Sequence, residues 1–157
     1  MNILKISGSG YNKKIIPRLL GHRVKGEIMG SSIEAIQNIL QKTVPRKGPL
    51  KKDDEEWRLW LISAIRSLVV RFHPEKVVLF GSRGNGTYTR RSDVDLAIVT
   101  ETHLPFTERS IPFALFLKDS PLPIDILVFT PSEWSMERNN KFIVRIKREG
   151  VFLYERE

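Results

Sequence analysis

The most regular pattern of apolar positions along the chain lies in residues 53–72. Acidic residues begin this segment, and apolar side chains then recur every three or four positions: Trp57, Trp60, Leu61, Ala64, Ile65, Leu68 and Phe72. This spacing predicts an amphipathic helix, with the acids at the positive end of its dipole. His73-Pro74 should end the helix. The two tryptophans are therefore predicted to be core residues rather than a stacking platform for nucleic-acid bases.

Shorter apolar runs follow this helix and predict strands. The run KVVLF at 76–80 is typical of a strand that is buried on both faces. Further strands are predicted at DVDLAIV (93–99), PLPIDILVF (121–129) and VFLYE (151–155).

Two more helices are predicted between these strands. One begins around 107–110 and can hold Pro112 only in its first turn. The other follows TPSE, where Thr130 and Glu133 have the spacing of a capping box. It should end at Gly150, as a C-terminal cap, with a possible break at Asn139-Asn140.

The order of these elements predicts one α/β (α+β) domain over residues 53–157, in which a small mixed β-sheet is flanked by helices. Residues 1–52 form an N-terminal extension, with a possible short helix at about 32–42 and then a linker, TVPRKGPLKK. The 157 residues and 41% hydrophobic content are enough for one such domain with a core of its own.

The net charge of +8 belongs almost entirely to the extension. Residues 1–50 hold 9 Lys and Arg against 2 acidic residues, whereas residues 51–157 hold 17 against 16. The extension is therefore interpreted as a mobile basic tail or an over-extended start of the reading frame, or alternatively as an arm that contacts RNA or DNA. Extensive nucleic-acid binding by the nearly neutral domain itself is not expected.

Composition also excludes several kinds of functional site. The chain has no cysteine, which excludes disulfides, thiolate metal sites and cysteine nucleophiles. The absence of cysteine also favours a cytoplasmic location. No apolar run approaches the roughly 20 residues of a membrane span, so no membrane contact is expected. The three histidines have no metal-binding spacing and are interpreted as surface or helix-end residues: His22, His73 and His103.

Three aspartates carry the candidate chemistry. Asp93 and Asp95 are two positions apart on a predicted strand, so they should project from the same face. Side by side they repel each other unless a cation lies between them, although Asp-x-Asp alone also fits a strand start or an exposed edge. Asp125 is the only charged residue of PLPIDILVF. If its strand pairs with that of Asp95, the three carboxylates form a ligand set for two Mg²⁺ ions about 4 Å apart; alternatively, Asp125 faces solvent or a backbone amide.

The loop before these aspartates is suited to phosphate. Gly81 allows a sharp turn after the buried strand, and Ser82 with the next amides can begin a short helix that binds an anion. Gly84 and Gly86 keep the loop free of bulky side chains, and its arginines offer paired donors for phosphate oxygens: Arg83, Arg90 and Arg91. The loop fits neither the dinucleotide fingerprint nor the P-loop.

Gly81-Ser82, ten residues and then Asp93-x-Asp95 resembles the signature of the nucleotidyltransferases of the DNA polymerase β-like superfamily. Residues 54–157, with PIDILVF and the ending IKREGVFLYE, are similar to its minimal nucleotidyltransferase (MNT) domains. Asn85 and Arg90-Arg91 depart from the usual loop, where an arginine and a Pro-acid pair are common. These departures leave nucleotide preference and acceptor recognition open.

The resemblance implies a role for each candidate residue. Asp93 and Asp95 bind both metals, and Asp125 binds the metal beside the attacking group and helps to deprotonate that group. Gly81 and Ser82 hold the β- and γ-phosphates, and the wider phosphate-binding set includes Arg83, Gly86 and Arg91. The implied cofactor is Mg²⁺ and the implied substrate is ATP.

The resemblance also implies the function. Many similar minimal domains are antitoxins that transfer AMP from ATP to a tyrosine of a HEPN-domain toxin, so an enzyme with a HEPN partner is predicted. The alternatives are a non-catalytic binding protein or antitoxin, and a nucleotidyltransferase that acts on RNA ends or a small molecule such as an aminoglycoside.

Overall fold

The computed structural model describes residues 5–6, 52–136 and 140–156. Five strands lie in these residues: β1 Lys5–Ile6, β2 Lys76–Phe80, β3 Val94–Val99, β4 Ile124–Phe129 and β5 Val151–Glu155. Five helices accompany them: α1 Lys52–Phe72, α2 Gly81–Gly84, α3 Ile111–Phe116, α4 Pro131–Ser135 and α5 Lys141–Glu149. The elements predicted from residue 53 onward are present, whereas the helix predicted at about 32–42 lies outside the described residues. The sequence analysis did not predict β1.

The strands form one sheet in the order β1-β4-β3-β2-β5. β3 and β4 are parallel, and the other three neighbouring pairs are antiparallel. The predicted mixed sheet is therefore confirmed, with the two-residue β1 on its outer edge. Within the described part of the chain, no helix is long and apolar enough to cross a membrane.

Alternate side chains of the central strands enter two separate cores. Leu79, Leu96 and Ile126 lie in the first core, where α1 and α3 pack against the sheet. Val78, Ala97 and Leu127 lie in the second core, with residues of α4 and α5. Helices thus cover both faces, which explains why the strands are apolar at nearly every position. Trp57 is 3% exposed and Trp60 packs on the same core, which confirms that both are core residues.

The helices begin and end close to where the sequence predicts, but glycine is required at position 150 for a different reason from the predicted one. α1 ends at Phe72, and a capping box between Thr130 and Glu133 opens α4. The break before α5 is made by Asn140, whose side chain caps that helix. Gly150 follows α5 with a negative φ of −82°. A side chain is excluded there by contact, because a Cβ would lie 2.5 Å from Ile146 O and 2.6 Å from Val78 Cγ1.

Glu133 of the capping box also forms an ion pair with Arg109. Arg109 Nη1 donates to both carboxylate oxygens of Glu133, at 2.9 and 2.7 Å, and Arg109 Nε donates to Leu104 O. Burial alone would raise the pKa of Glu133, but hydrogen bonds from Arg109 and Thr130 outweigh it and lower that pKa. The ionised carboxylate is therefore favoured in the folded protein.

This ion pair should make stability depend on pH. A lowered folded pKa stabilises the protein above the unfolded pKa, about 4.3 for Glu, and this contribution disappears as the pH falls through the folded pKa. Glu133→Gln keeps the cap geometry without the charge, so we expect it to cost less than about 1 kcal/mol at pH 7 and progressively less as the pH is lowered from about 4.3 towards 3. Chemical denaturation across this range measures the difference, with exposed Glu101→Gln as the control. Parallel curves for wild type and Glu133→Gln would contradict the assignment.

Candidate active site

Asp95 and Asp125 occupy directly opposite positions on the parallel strands β3 and β4. Neighbouring strands are about 4.8 Å apart, and residues in register project from the same face of the sheet. Both residues are only partly exposed, and Asp125 Oδ1 is buried. The adjacency on which the predicted carboxylate site depended is therefore present. Asp93 is the residue before β3 and is also partly exposed.

Gly81 brings the preceding loop against Asp95. β2 ends at Phe80, whose register partner is Asp95, and Gly81 then turns with a φ of +65°. A Cβ built on Gly81 would lie 2.2 Å from Asp95 Oδ2. Only glycine combines this left-handed backbone with so close an approach to the carboxylate. The turn and the carboxylates thus share one end of the sheet.

The predicted short helix follows at once as α2 Gly81–Gly84. Ser82 is partly exposed on it, and Ser82 O accepts from Thr87 N at 3.0 Å. Asn85 Oδ1 accepts from Thr87 N at 3.1 Å and from Thr87 Oγ1 at 2.7 Å. Gly86 turns the chain with a φ of +78°. Internal hydrogen bonds therefore shape the loop.

The arginines of the loop are placed very differently. Arg90 and Arg91 are exposed, where they can meet a ligand. Arg83 is 1% exposed; its Nε and Nη2 donate to Ser92 O at 3.1 and 2.8 Å. Direct phosphate binding by Arg83 is thus not supported, because its guanidinium is enclosed by protein. Burial lowers the pKa of Arg83 to about 10, against the opposing influence of Tyr88, Asp93 and Asp95, so the group stays cationic at neutral pH.

The surroundings of Arg83 are what sequence reasoning missed. The guanidinium lies against two rings, with Cζ 4.5 Å from the ring centroid of Trp57 and 4.9 Å from that of Tyr88. Trp57 was predicted only as a core residue of α1. The signal for Tyr88 was weak, a single aromatic residue between the loop threonines. The histidines behave as predicted where they are described, since His73 and His103 are exposed.

The acidic residues are suited to a metal that is shared with substrate. Among the described residues, no group of three or more His, Asp or Glu side chains forms a ready-made metal site. Mg²⁺ is usually bound by one or two carboxylates together with water and substrate phosphates, rather than by an all-protein cage. The Asp95 and Asp125 pair, on neighbouring strands beside the Gly81 turn, fits this mode. The chemistry of the donors thus favours a hard divalent cation.

One comparison with known proteins identifies the family to which the chain belongs. A family model described as a nucleotidyltransferase domain matches residues 60–152, which include the loop and all three aspartates. A solved structure from Sulfolobus solfataricus, described as a "putative nucleotidyltransferase", is 21% identical with a TM-score of 0.44, over 83% of this chain and 94% of its own. No curated protein matches the chain. Because the family model covers more than half of the sequence, the chain belongs to the nucleotidyltransferase domain family.

Proposed function

We propose that this protein is a Mg²⁺-dependent enzyme that transfers AMP from ATP to a hydroxyl group. One observation carries the proposal: Asp95 and Asp125 lie in register on adjacent strands, with the Gly81 turn against Asp95. This arrangement puts paired carboxylates beside a loop whose exposed arginine, Arg91, can reach an anion. Membership of the family supports nucleotidyl transfer as the reaction class.

Each residue of the site then has a proposed role. Asp93, Asp95 and Asp125 would hold Mg²⁺, which when bound neutralises negative charge on the triphosphate. The Gly81-Ser82 turn binds the β- and γ-phosphates, with Gly86 and Arg91 on the same loop. Asp125 accepts the proton of the acceptor hydroxyl. The acceptor oxygen forms a bond to the α-phosphorus, the bond from that phosphorus to the bridging oxygen breaks, and pyrophosphate leaves.

The acceptor we propose is a tyrosine of a HEPN-domain toxin, so that the protein acts as an antitoxin. The support is the resemblance of the loop and of residues 54–157 to MNT antitoxins. Asn85, Arg90 and Arg91 distinguish this loop from the usual pattern. Arg90 and Arg91 are exposed, which makes them candidates for contacts with the acceptor.

Label transfer tests this function. The protein, Mg²⁺ and the product of the adjacent gene, which we propose is the HEPN toxin, are incubated with ATP labelled either at the α- or at the γ-phosphate. We expect covalent label on the toxin from α-labelled ATP only, release of pyrophosphate, and no reaction in EDTA. The matched control toxin has its acceptor tyrosine replaced by phenylalanine and should remain unlabelled.

Other results of this assay would change the proposed nucleotide or acceptor, or contradict the enzymatic function. Stronger transfer from labelled CTP, GTP or UTP would correct the base preference. Label on RNA ends or an aminoglycoside instead of the protein would correct the acceptor. If no nucleoside triphosphate donates its α-phosphate to any of these acceptors, the enzymatic function is wrong.

A further inference from the structure

Arg83 connects the two ends of the active-site loop. It lies on α2, one residue after Ser82, and its Nε and Nη2 both reach Ser92 O, nine positions away. Ser92 immediately precedes Asp93. The guanidinium therefore joins the turn proposed to bind phosphate to the peptide group that leads into the first carboxylate. Loop residues 84–91 lie between Arg83 and Ser92.

A second backbone contact holds the other side of Asp93. Val94 N donates to Pro123 O at 2.8 Å, directly before β4. Asp93 thus lies between two anchored peptide groups, one bound by Arg83 and the other by the segment that leads to Asp125. Without the hydrogen bonds from Arg83 to Ser92 O, the chain before Asp93 could move while β3 remained paired with its neighbours.

The environment of Arg83 requires a planar cation. Rings of Trp57 and Tyr88 lie near the guanidinium, and these rings contact each other edge to face at 5.7 Å. A planar fork can meet aromatic faces and still direct two N–H groups at one carbonyl, whereas a lysine ammonium cannot do both. Burial excludes the water that would otherwise compete for these hydrogen bonds.

Stability alone does not account for an arginine at this position. The third nitrogen, Nη1, is buried without a hydrogen-bond partner among the described residues. Burying a cation with an unmet donor is costly, and an apolar side chain of similar volume would often cost less. The charge does, however, lie close enough to interact favourably with Asp93 and Asp95.

We propose that Arg83 is a positioning residue, which holds the Asp93 and Asp95 carboxylates in place relative to the Gly81-Ser82 turn. This inference rests on the proposed function for its consequence, because that placement sets how metal and triphosphate are held together. Arg83 itself touches neither the metal nor the nucleotide. It acts through the Ser92 carbonyl.

Binding of Mn²⁺, as a spectroscopic substitute for Mg²⁺, tests this role without requiring turnover. We expect Arg83→Lys to bind Mn²⁺ about 10- to 100-fold more weakly, the range found when groups that orient metal ligands are replaced. Electron paramagnetic resonance titration of free Mn²⁺ measures the affinity. Arg71→Lys is the matched control, since exposed Arg71 also lies over a ring, that of Phe72 at 5.5 Å, and its affinity should equal that of wild type.

Amide hydrogen exchange separates this inference from the proposed function. If Arg83 anchors Ser92, the Val94 amide should exchange faster in Arg83→Lys, and amides in the middle of β3 should not. This readout remains decisive even if wild type binds no Mn²⁺ and transfers no nucleotide, which would overturn the proposed function alone. A folded Arg83→Lys protein with wild-type exchange at Val94 would overturn the positioning role, as would unchanged Mn²⁺ affinity where wild type binds the ion.

A second variant keeps the inference testable if Arg83→Lys does not fold. Tyr88→Leu removes one of the two rings but leaves the arginine and its acceptor in place. We expect weaker Mn²⁺ binding than in wild type and faster exchange at Val94. Wild-type values for both measurements in Tyr88→Leu would overturn the proposal.

Discussion

Asp95→Asn is expected to lower nucleotidyl transfer by about a thousandfold or more. The amide that replaces the carboxylate is neutral and binds Mg²⁺ poorly, so the site loses charge where the triphosphate must be neutralised. Several kcal/mol of transition-state stabilisation depend on such a metal, and each 1.4 kcal/mol corresponds to a factor of about ten in rate. Label transfer from α-labelled ATP measures the loss. Exposed Asp119→Asn is the matched control and should retain wild-type activity.

The same substitution should leave the fold intact. Asp95 and Asp125 are directly opposite each other, and like charges at opposite positions of a sheet are destabilising. Loss of the attraction between Asp95 and Arg83 acts in the opposite direction. We therefore expect Asp95→Asn to change the free energy of unfolding little while activity disappears. Equal losses of stability and activity would show that Asp95 is structural. Full neutralisation of a toxin by Asp95→Asn would favour the non-catalytic binding protein instead.

Gly81→Ala is expected to lower transfer about a hundredfold and stability by about 1–3 kcal/mol. Alanine at a φ of +65° costs about 1–2 kcal/mol, and its Cβ would lie 2.2 Å from Asp95 Oδ2. The carboxylate must move, and a displacement of about 1 Å in a catalytic site can reduce the rate a hundredfold. Chemical denaturation and the label-transfer assay measure the two effects.

A double-mutant cycle with Asp95→Ala tests this explanation. Asp95→Ala removes Oδ2 and Cγ and leaves only the Cβ, which is 3.3 Å from the position of the added methyl group. In this background, Gly81→Ala should cost the backbone strain alone, so the two changes should couple by about 0.5–2 kcal/mol. Strictly additive losses of stability would mean that Gly81 does not act through Asp95.

Much of the fold could be predicted because its signals are local. The stripe from Trp57 to Phe72, the capping box at Thr130 and the apolar runs each depend on neighbours along the chain. β1 could not be predicted, because a two-residue edge strand is defined by the strand with which it pairs, here at Lys5 opposite Asp125. Arg83 could not be placed either, since an arginine in a glycine-rich loop has the same local pattern whether it faces a ligand or a core.

The order of residues was enough to predict which groups are available: three aspartates in predicted strands, a glycine where the chain must turn, and a helix with an apolar stripe. Which of these groups lie together depends on how distant segments pack. Pairing of β3 with β4 brings Asp125 opposite Asp95 across thirty residues of chain, and packing of α1 beneath the loop encloses Arg83. Strand register and burial depend on contacts between distant segments, whereas the hydrophobic pattern depends only on the order of residues.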